Sequence, residues 1–104
     1  MVVSIFRSRL KPEHAAEFQT LADQLMKTAE IMPGFISYKL FTAGDGERCS
    51  LVEFETNEQL EAWRNLPVHR EAQEFGRARF YESYSLEIGE PLREAHFPAA
   101  TAER

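Results

Sequence analysis

Phe35-Ile36-Ser37-Tyr38-Lys39-Leu40-Phe41-Thr42-Ala43-Gly44-Asp45-Gly46-Glu47-Arg48-Cys49-Ser50-Leu51-Val52-Glu53-Phe54-Glu55 reads as two strands joined by a tight turn. The runs 35–41 and 48–55 are rich in aromatic and aliphatic residues, as strands are. Ala43-Gly44-Asp45-Gly46 lies between them, and Asp-Gly is a strong hairpin signal. A hairpin in the middle of a short chain constrains everything on either side of it.

Upstream, Met32-Pro33-Gly34 stops a helix, with Gly34 free to take positive φ. That helix starts at Lys11-Pro12-Glu13, since Pro is tolerated in a first turn and acids suit the positive dipole end. It runs to about Ile31. Phe18, Leu21, Ala22, Leu25, Met26 and Ala29 recur at three- and four-residue spacing and form its buried stripe. Before it, residues 2–10 read as a strand, with Val3, Ile5, Arg7 and Arg9 on one side and Val2, Ser4, Phe6, Ser8 and Leu10 on the other.

Downstream, Thr56 and Gln59 form a capping box that opens a helical region over 57–78. Pro67 breaks that region, because it lacks an N–H donor and clashes with the preceding turn. Residues 80–88 form a fourth strand, with Phe80, Tyr84, Leu86 and Ile88 on one side, and Gly89 and Pro91 end it. The order is β-α-β-β-α-β, an α+β fold of the split βαβ, ferredoxin-like kind, with helices on one sheet face. Residues 90–104 are a tail, loose or draped over a neighbour.

In the 35–41 strand both sides look apolar, with Phe35 and Phe41 on one and Ile36, Tyr38 and Leu40 on the other. Strands apolar on both sides are usually covered on both sides. A second copy is the simplest cover, so a homodimer with sheets face to face is expected. Eight Phe, three Tyr and one Trp in 104 residues are a heavy aromatic load, and some of it is expected at a subunit interface rather than in a private core.

The chain carries 17 acidic and 12 basic side chains, a net charge of −5, and no Lys/Arg run. Nucleic acid is therefore not an expected partner, and no apolar run approaches a membrane span. Cys49 stands alone, which rules out an internal disulfide and suits a cytoplasmic location. The arginines at 7 and 9 come too early for a signal peptide. Gly44 and Gly46 belong to the hairpin and make no phosphate loop, so neither a flavin nor a nicotinamide is expected. His14 and His96 lack the spacing of a metal site with His69, and no metal or other cofactor is expected.

The combination of Phe6-Arg7-Ser8-Arg9-Leu10, Met32-Pro33-Gly34-Phe35, Asp45-Gly46-Glu47-Arg48, Trp63-x5-His69-Arg70 and Gly76-x3-Phe80-Tyr81-x2-Tyr84 resembles the antibiotic biosynthesis monooxygenase family. The resemblance spans residues 1–90 as one domain and leaves 91–104 as a tail. It implies ferredoxin-like protomers paired into a dimeric α/β barrel. It also implies cofactor-independent oxygenation of a small aromatic phenol or quinol, with O2 as the other partner. A fold shared by several activities leaves a non-catalytic dimeric small-ligand-binding domain as the alternative. The haem-degrading branch of the family is marked by an Asn on strand 1 with a Trp and a His on later helices. This chain has Trp63 and His69 but no Asn on strand 1, which puts that reading third.

His69 is the best titratable candidate. It falls in the first turn after Pro67, where the dipole end disfavours imidazolium and leaves a neutral ring able to take a proton from a phenol or quinol. Its bland role is a helix-start histidine bonded to backbone. Trp63 forms a buried stripe with Leu60 and Leu66, and its ring either packs in the core or walls a pocket. Tyr38, Tyr81 and Tyr84 either fill the core with their rings or donate hydrogen bonds to an oxygenated substrate. Asn65 either orients a substrate carbonyl or ends a helix. Arg7 and Arg9 share a strand side with Val3 and Ile5, and a charge there needs a partner. Glu53 and Glu55 on the neighbouring strand are the expected partners. The sharper role for Arg7 is a clamp on an anionic substrate. Cys49 reads as a small buried hydrophobe.

Overall fold

β1 (Val2–Leu10) enters α1 (Ala15–Glu30) through a single 3-10 turn at Pro12–His14. The structure, a computed structural model, describes residues 1–98. β2 (Phe35–Thr42) and β3 (Arg48–Phe54) form the central hairpin, followed by α2 (Asn57–Arg64), α3 (Pro67–Phe75), a π-helical turn at Gly76–Phe80 and β4 (Tyr81–Gly89). The sheet order is β2-β3-β1-β4, antiparallel throughout. This is the ferredoxin-like α+β arrangement, with the helices packed on one face of the sheet.

Local chemistry explains the joints. The Gly46 N–H donates to the Ala43 carbonyl at 2.9 Å, and the Ala43 N–H donates to the Glu47 carbonyl at 2.7 Å. Only Gly46 takes positive φ there, at +93°. The connection is thus a four-residue turn over 43–46, wider than a bare Asp-Gly hairpin. The capping box forms as expected: the Thr56 hydroxyl accepts from the Gln59 N–H and the Gln59 side chain accepts from the Thr56 N–H, both at 3.2 Å. Such a cap contributes about 1 kcal/mol. Pro67 opens α3 at its first turn, where its missing N–H costs nothing.

Strand parity departs from simple alternation in β2. Phe35 pairs with Phe54 and Ser37 with Glu53, so one residue, Ile36, is left over as a bulge. The bulge puts Phe35 on the same face as Tyr38, against Phe54 and the helices. Phe41 pairs with Cys49 on the other face and is 51% exposed. Phe35 and Phe41 therefore do not share a side. Cys49 is half-buried on that outward face, opposite Arg7.

The core is in two pieces. One joins Val2, Val52 and Phe54 of the sheet to Ala29, Leu60 and Trp63 of the helices. The other joins Phe18, Ala22 and Phe80. Residues 90–98 add no regular element, and Leu92 and Phe97 are fully exposed. The rest of the expected tail, 99–104, lies outside the described residues. Among the described residues no helix is long and apolar enough to cross a membrane.

Candidate functional site

A cavity of about 170 Å³ fills the interruption between the two core clusters. Val52 and Trp63 wall it from one side, and Phe18 and Ala22 from the other. Ser4 and Phe6 of β1 and Leu86 of β4 supply part of the sheet wall. Single-ring ligands fit such a volume, since an apolar cavity of about 150 Å³ holds benzene. Drug-sized ligands need roughly 300–1,000 Å³.

Trp63 ends α2 on the buried side. Its ring stacks over Phe54 with centroids 5.9 Å apart, and Tyr38 meets it edge-on at 5.9 Å. Its indole N–H donates to the Leu25 carbonyl at 3.3 Å, so the ring is satisfied and fixed. The Pro67 break turns α3 so that His69 comes back against it. The two rings meet edge to face with centroids 4.4 Å apart. Gln73, one turn further along α3, places its amide 3.2 Å from His69 Nδ1.

Burial holds His69 neutral, pushing its pKa down to about 4, and the Arg64 guanidinium pushes the same way. Desolvation is the larger cause, so the helix-start dipole is not what sets the protonation state. The unfolded chain protonates this ring near 6.5, whereas the folded one resists until about 4. Between those values the unfolded state binds more protons, so stability rises with pH and is lost as pH falls. At pH 5 the loss should be roughly 2 kcal/mol. Urea unfolding at pH 7 and pH 5 checks this: the native chain should weaken by about that much more than His69→Gln. Equal losses would mean that His69 is freely solvated.

Tyr81, Tyr84 and Phe6 form a packed aromatic group on β1 and β4, with centroids 5.4–5.6 Å apart. Burial raises the pKa values of Tyr81 and Tyr38, so both stay protonated hydroxyl donors and neither is a base. Tyr81 lies hard against Gly76, where a Cβ would collide with the phenol ring. Gly76 has ordinary helical φ and ψ, so it is the close approach and not the backbone that calls for glycine.

Five of the seven expected site residues thus come together on the wall: His69, Trp63, Tyr38, Tyr81 and Tyr84. Two do not. Asn65 is the exposed C-cap of α2, with its backbone N–H bonded to the Glu61 carbonyl. Arg7 lies on the opposite face of the sheet, where its guanidinium pairs with Glu47 at 3.0 Å. Arg9 pairs with Asp45 at 2.9 Å. Neither arginine reaches Glu53 or Glu55. Arg7 stands opposite Cys49, two residues from Glu47, while Glu53 stands opposite Val3 and accepts from the Ser37 hydroxyl at 2.6 Å.

Sequence reasoning missed Ser4, Ser50, Arg64, Gln73 and Arg77 on the wall. A signal existed for two of them, because 69, 73 and 77 recur at four-residue spacing on one helical face. Ser4 and Ser50 flank Phe6 on the inward side of the ladder, Ser50 as its cross-strand partner. Among the described residues no three His, Cys, Asp or Glu side chains converge as metal donors.

The sequence profile described as antibiotic biosynthesis monooxygenase matches residues 1–74. The structure of Rv0793 from Mycobacterium tuberculosis superposes with a TM-score of 0.81 at 21% identity, covering 91% of this chain and 98% of that one. SnoaB from Streptomyces nogalater, a cofactor-independent oxygenase, superposes with a TM-score of 0.74 at 14% identity, over 89% of this chain and 94% of that one. The uncharacterized protein YqjZ of Bacillus subtilis is 24% identical over 98 residues, 94% of this chain and 86% of that protein. At such identities the structural likenesses carry the fold alone.

Proposed function

The chain belongs to the antibiotic biosynthesis monooxygenase family, and from that premise we propose that it is a cofactor-independent monooxygenase of a single-ring phenol or quinol. One observation carries the reading: the Trp63 and His69 rings touch on the wall of a cavity sized for one aromatic ring. A hydroquinone and O2 balance to a hydroxyquinone and water. One oxygen atom replaces a ring hydrogen, the other leaves as water, and the substrate supplies all four electrons. The protein's part is to hold the ring, exclude water and take a proton.

A base with a pKa of about 4 takes little from a resting phenol. A phenol that has lost an electron to O2 is far more acidic, and a neutral imidazole suits that proton. In this role His69 keeps its own hydrogen on Nδ1, accepted by the Gln73 side-chain oxygen, and receives the substrate proton at Nε2. A half-turn of the Gln73 amide gives that arrangement, and the Oε1/Nε2 assignment of an amide is a choice between two near-identical shapes. Tyr38, Tyr81 and Tyr84 donate to the ring oxygens.

An oxygen electrode tests the reading with hydroquinone as substrate. Uptake should exceed buffer autoxidation and scale with protein concentration. Uptake that ignores the protein would leave the second reading, a small-ligand-binding domain, which the weak basicity of His69 favours. A haem-degrading role gains nothing from a cavity that holds one ring.

The proposed assembly is a homodimer closed through the outward sheet face, where Val3, Ile5 and Leu51 are only half covered and Phe41 is exposed. The domain would comprise residues 1–90, with the tail over the neighbour. Light scattering at micromolar concentration should give twice the 12.0 kDa chain mass. A monomer would remove this assembly.

A further inference from the structure

Resting on the reading that the cavity binds one aromatic ring, we propose that it selects a ring bearing an oxyanion, with Arg64 and Arg77 as the specificity-determining residues. The chain as a whole is acidic, at −5. Its cavity wall is the reverse: two arginines line it and, among the described residues, no Asp or Glu does. Arg64 is paired with Glu61, which leaves Arg77 as the wall charge with no ion-pair partner among the described residues.

The two arginines come from different elements. Arg64 closes α2 and is held by two 3.2 Å hydrogen bonds to the Glu61 carboxylate, which fixes its position. Its charge is felt inside the site, since it disfavours protonation of His69. Arg77 sits in the π-helical turn, two helical turns beyond His69 along the 69-73-77 face. Among the described residues Arg77 has no ion-pair partner. A ligand carboxylate or phenolate would supply the missing counter-ion, and guanidinium groups bind such oxyanions with paired hydrogen bonds.

The remaining polar wall is consistent with an anion. Ser4, Ser50 and the three tyrosines offer hydroxyl donors, and the tyrosines that titrate abnormally are shifted toward staying protonated. A cationic ring would meet two like charges and no carboxylate. A neutral ring would gain apolar burial and neutral hydrogen bonds from these hydroxyls, without the charge-assisted bonds an oxyanion makes. Hydrogen bonds to a charged partner contribute enough for about tenfold or more in affinity.

Calorimetric titration of the full chain with 4-hydroxybenzoate and 4-hydroxybenzamide, which share a shape and differ in charge, tests this. At low salt and pH 7 the acid should bind about tenfold tighter or better. Added salt should shrink the gap. Arg77→Gln, which alters an exposed side chain, should weaken the acid about tenfold and leave the amide nearly unchanged. Circular dichroism confirms that the variant is folded. A third ligand, 4-nitrophenol, titrated on either side of its ionisation, separates the two oxyanion sources. Tightening on ionisation would place a phenolate at the arginines, and a preference confined to the benzoate would place a carboxylate there. Equal binding of acid and amide would overturn the oxyanion proposal while leaving a ring-binding cavity in place. So would a preference that survives both Arg64→Gln and Arg77→Gln. No binding of any of the three ligands would overturn the ring-binding reading itself, and this proposal with it.

Discussion

Replacing His69 with Ala should lower hydroquinone-dependent oxygen uptake by about a hundredfold or more, the usual scale for losing a positioned proton acceptor. The change belongs in kcat, because His69 is one wall residue among many and its removal leaves Trp63, Phe6 and the tyrosines to hold the ring. KM should move by no more than a few fold, since uniform binding is hardly touched. The pH profile gives an independent reading. With a folded-state pKa of about 4, the imidazole is neutral from pH 8 down to about 5, so uptake should be level across that range. It should fall as pH drops through about 4, where the ring gains its proton. A break near 6.5, or an alanine variant with undiminished turnover, would take His69 out of the chemistry and leave it as a wall residue.

Trp63→Ala should cost about 3–5 kcal/mol in urea unfolding, the range for truncating a large buried aromatic. The indole is 4% exposed and lies between Phe54, Tyr38 and His69, with its N–H bonded to the Leu25 carbonyl. Removing it cuts one core cluster where it borders the cavity, so the new void merges with the old one and cannot easily collapse. A domain of this size has only about 5–15 kcal/mol in all. The melting midpoint should fall by roughly 15–30 °C. Trp63→Phe, which keeps a ring over Phe54, should lose less than half as much. A loss below about 1 kcal/mol for the alanine variant would show that the indole bears little of the packing.

Much of this was legible in the chain because local signals agreed with one another. Pro12, Gly34, the Thr56–Gln59 box and Pro67 each mark a boundary by covalent or capping chemistry; the last three fall where expected, while Pro12 opens a 3-10 turn and α1 itself starts three residues later at Ala15. The Trp63–Pro67–His69 spacing foretold two rings at one corner, and the 4.4 Å contact follows from it. What escaped depends on pairing between distant residues. The bulge at Ile36 arises from how β2 meets β3, and alternation along β2 alone gives no hint of it. The partners of Arg7 and Arg9 depend on which carboxylate a long side chain can reach across the ladder, which placed Glu47 and Asp45 ahead of Glu53 and Glu55. The cationic lining escaped for a different reason. Arg64 and Arg77 look like ordinary surface charges until α3 folds back, and the one available clue, the four-residue spacing from His69 through Gln73, covers Arg77 and not Arg64.

The near-contact between Gly76 and the phenol of Tyr81 acts as a gauge of bore. One methyl group at position 76 could be accommodated only by tipping that phenol, and one side of Tyr81 is the hollow itself. Chains alike in every reactive group but unlike at this position would therefore admit guests of different girth. On the proposed reading, the bore of the hollow is metered by a residue absent from its wall.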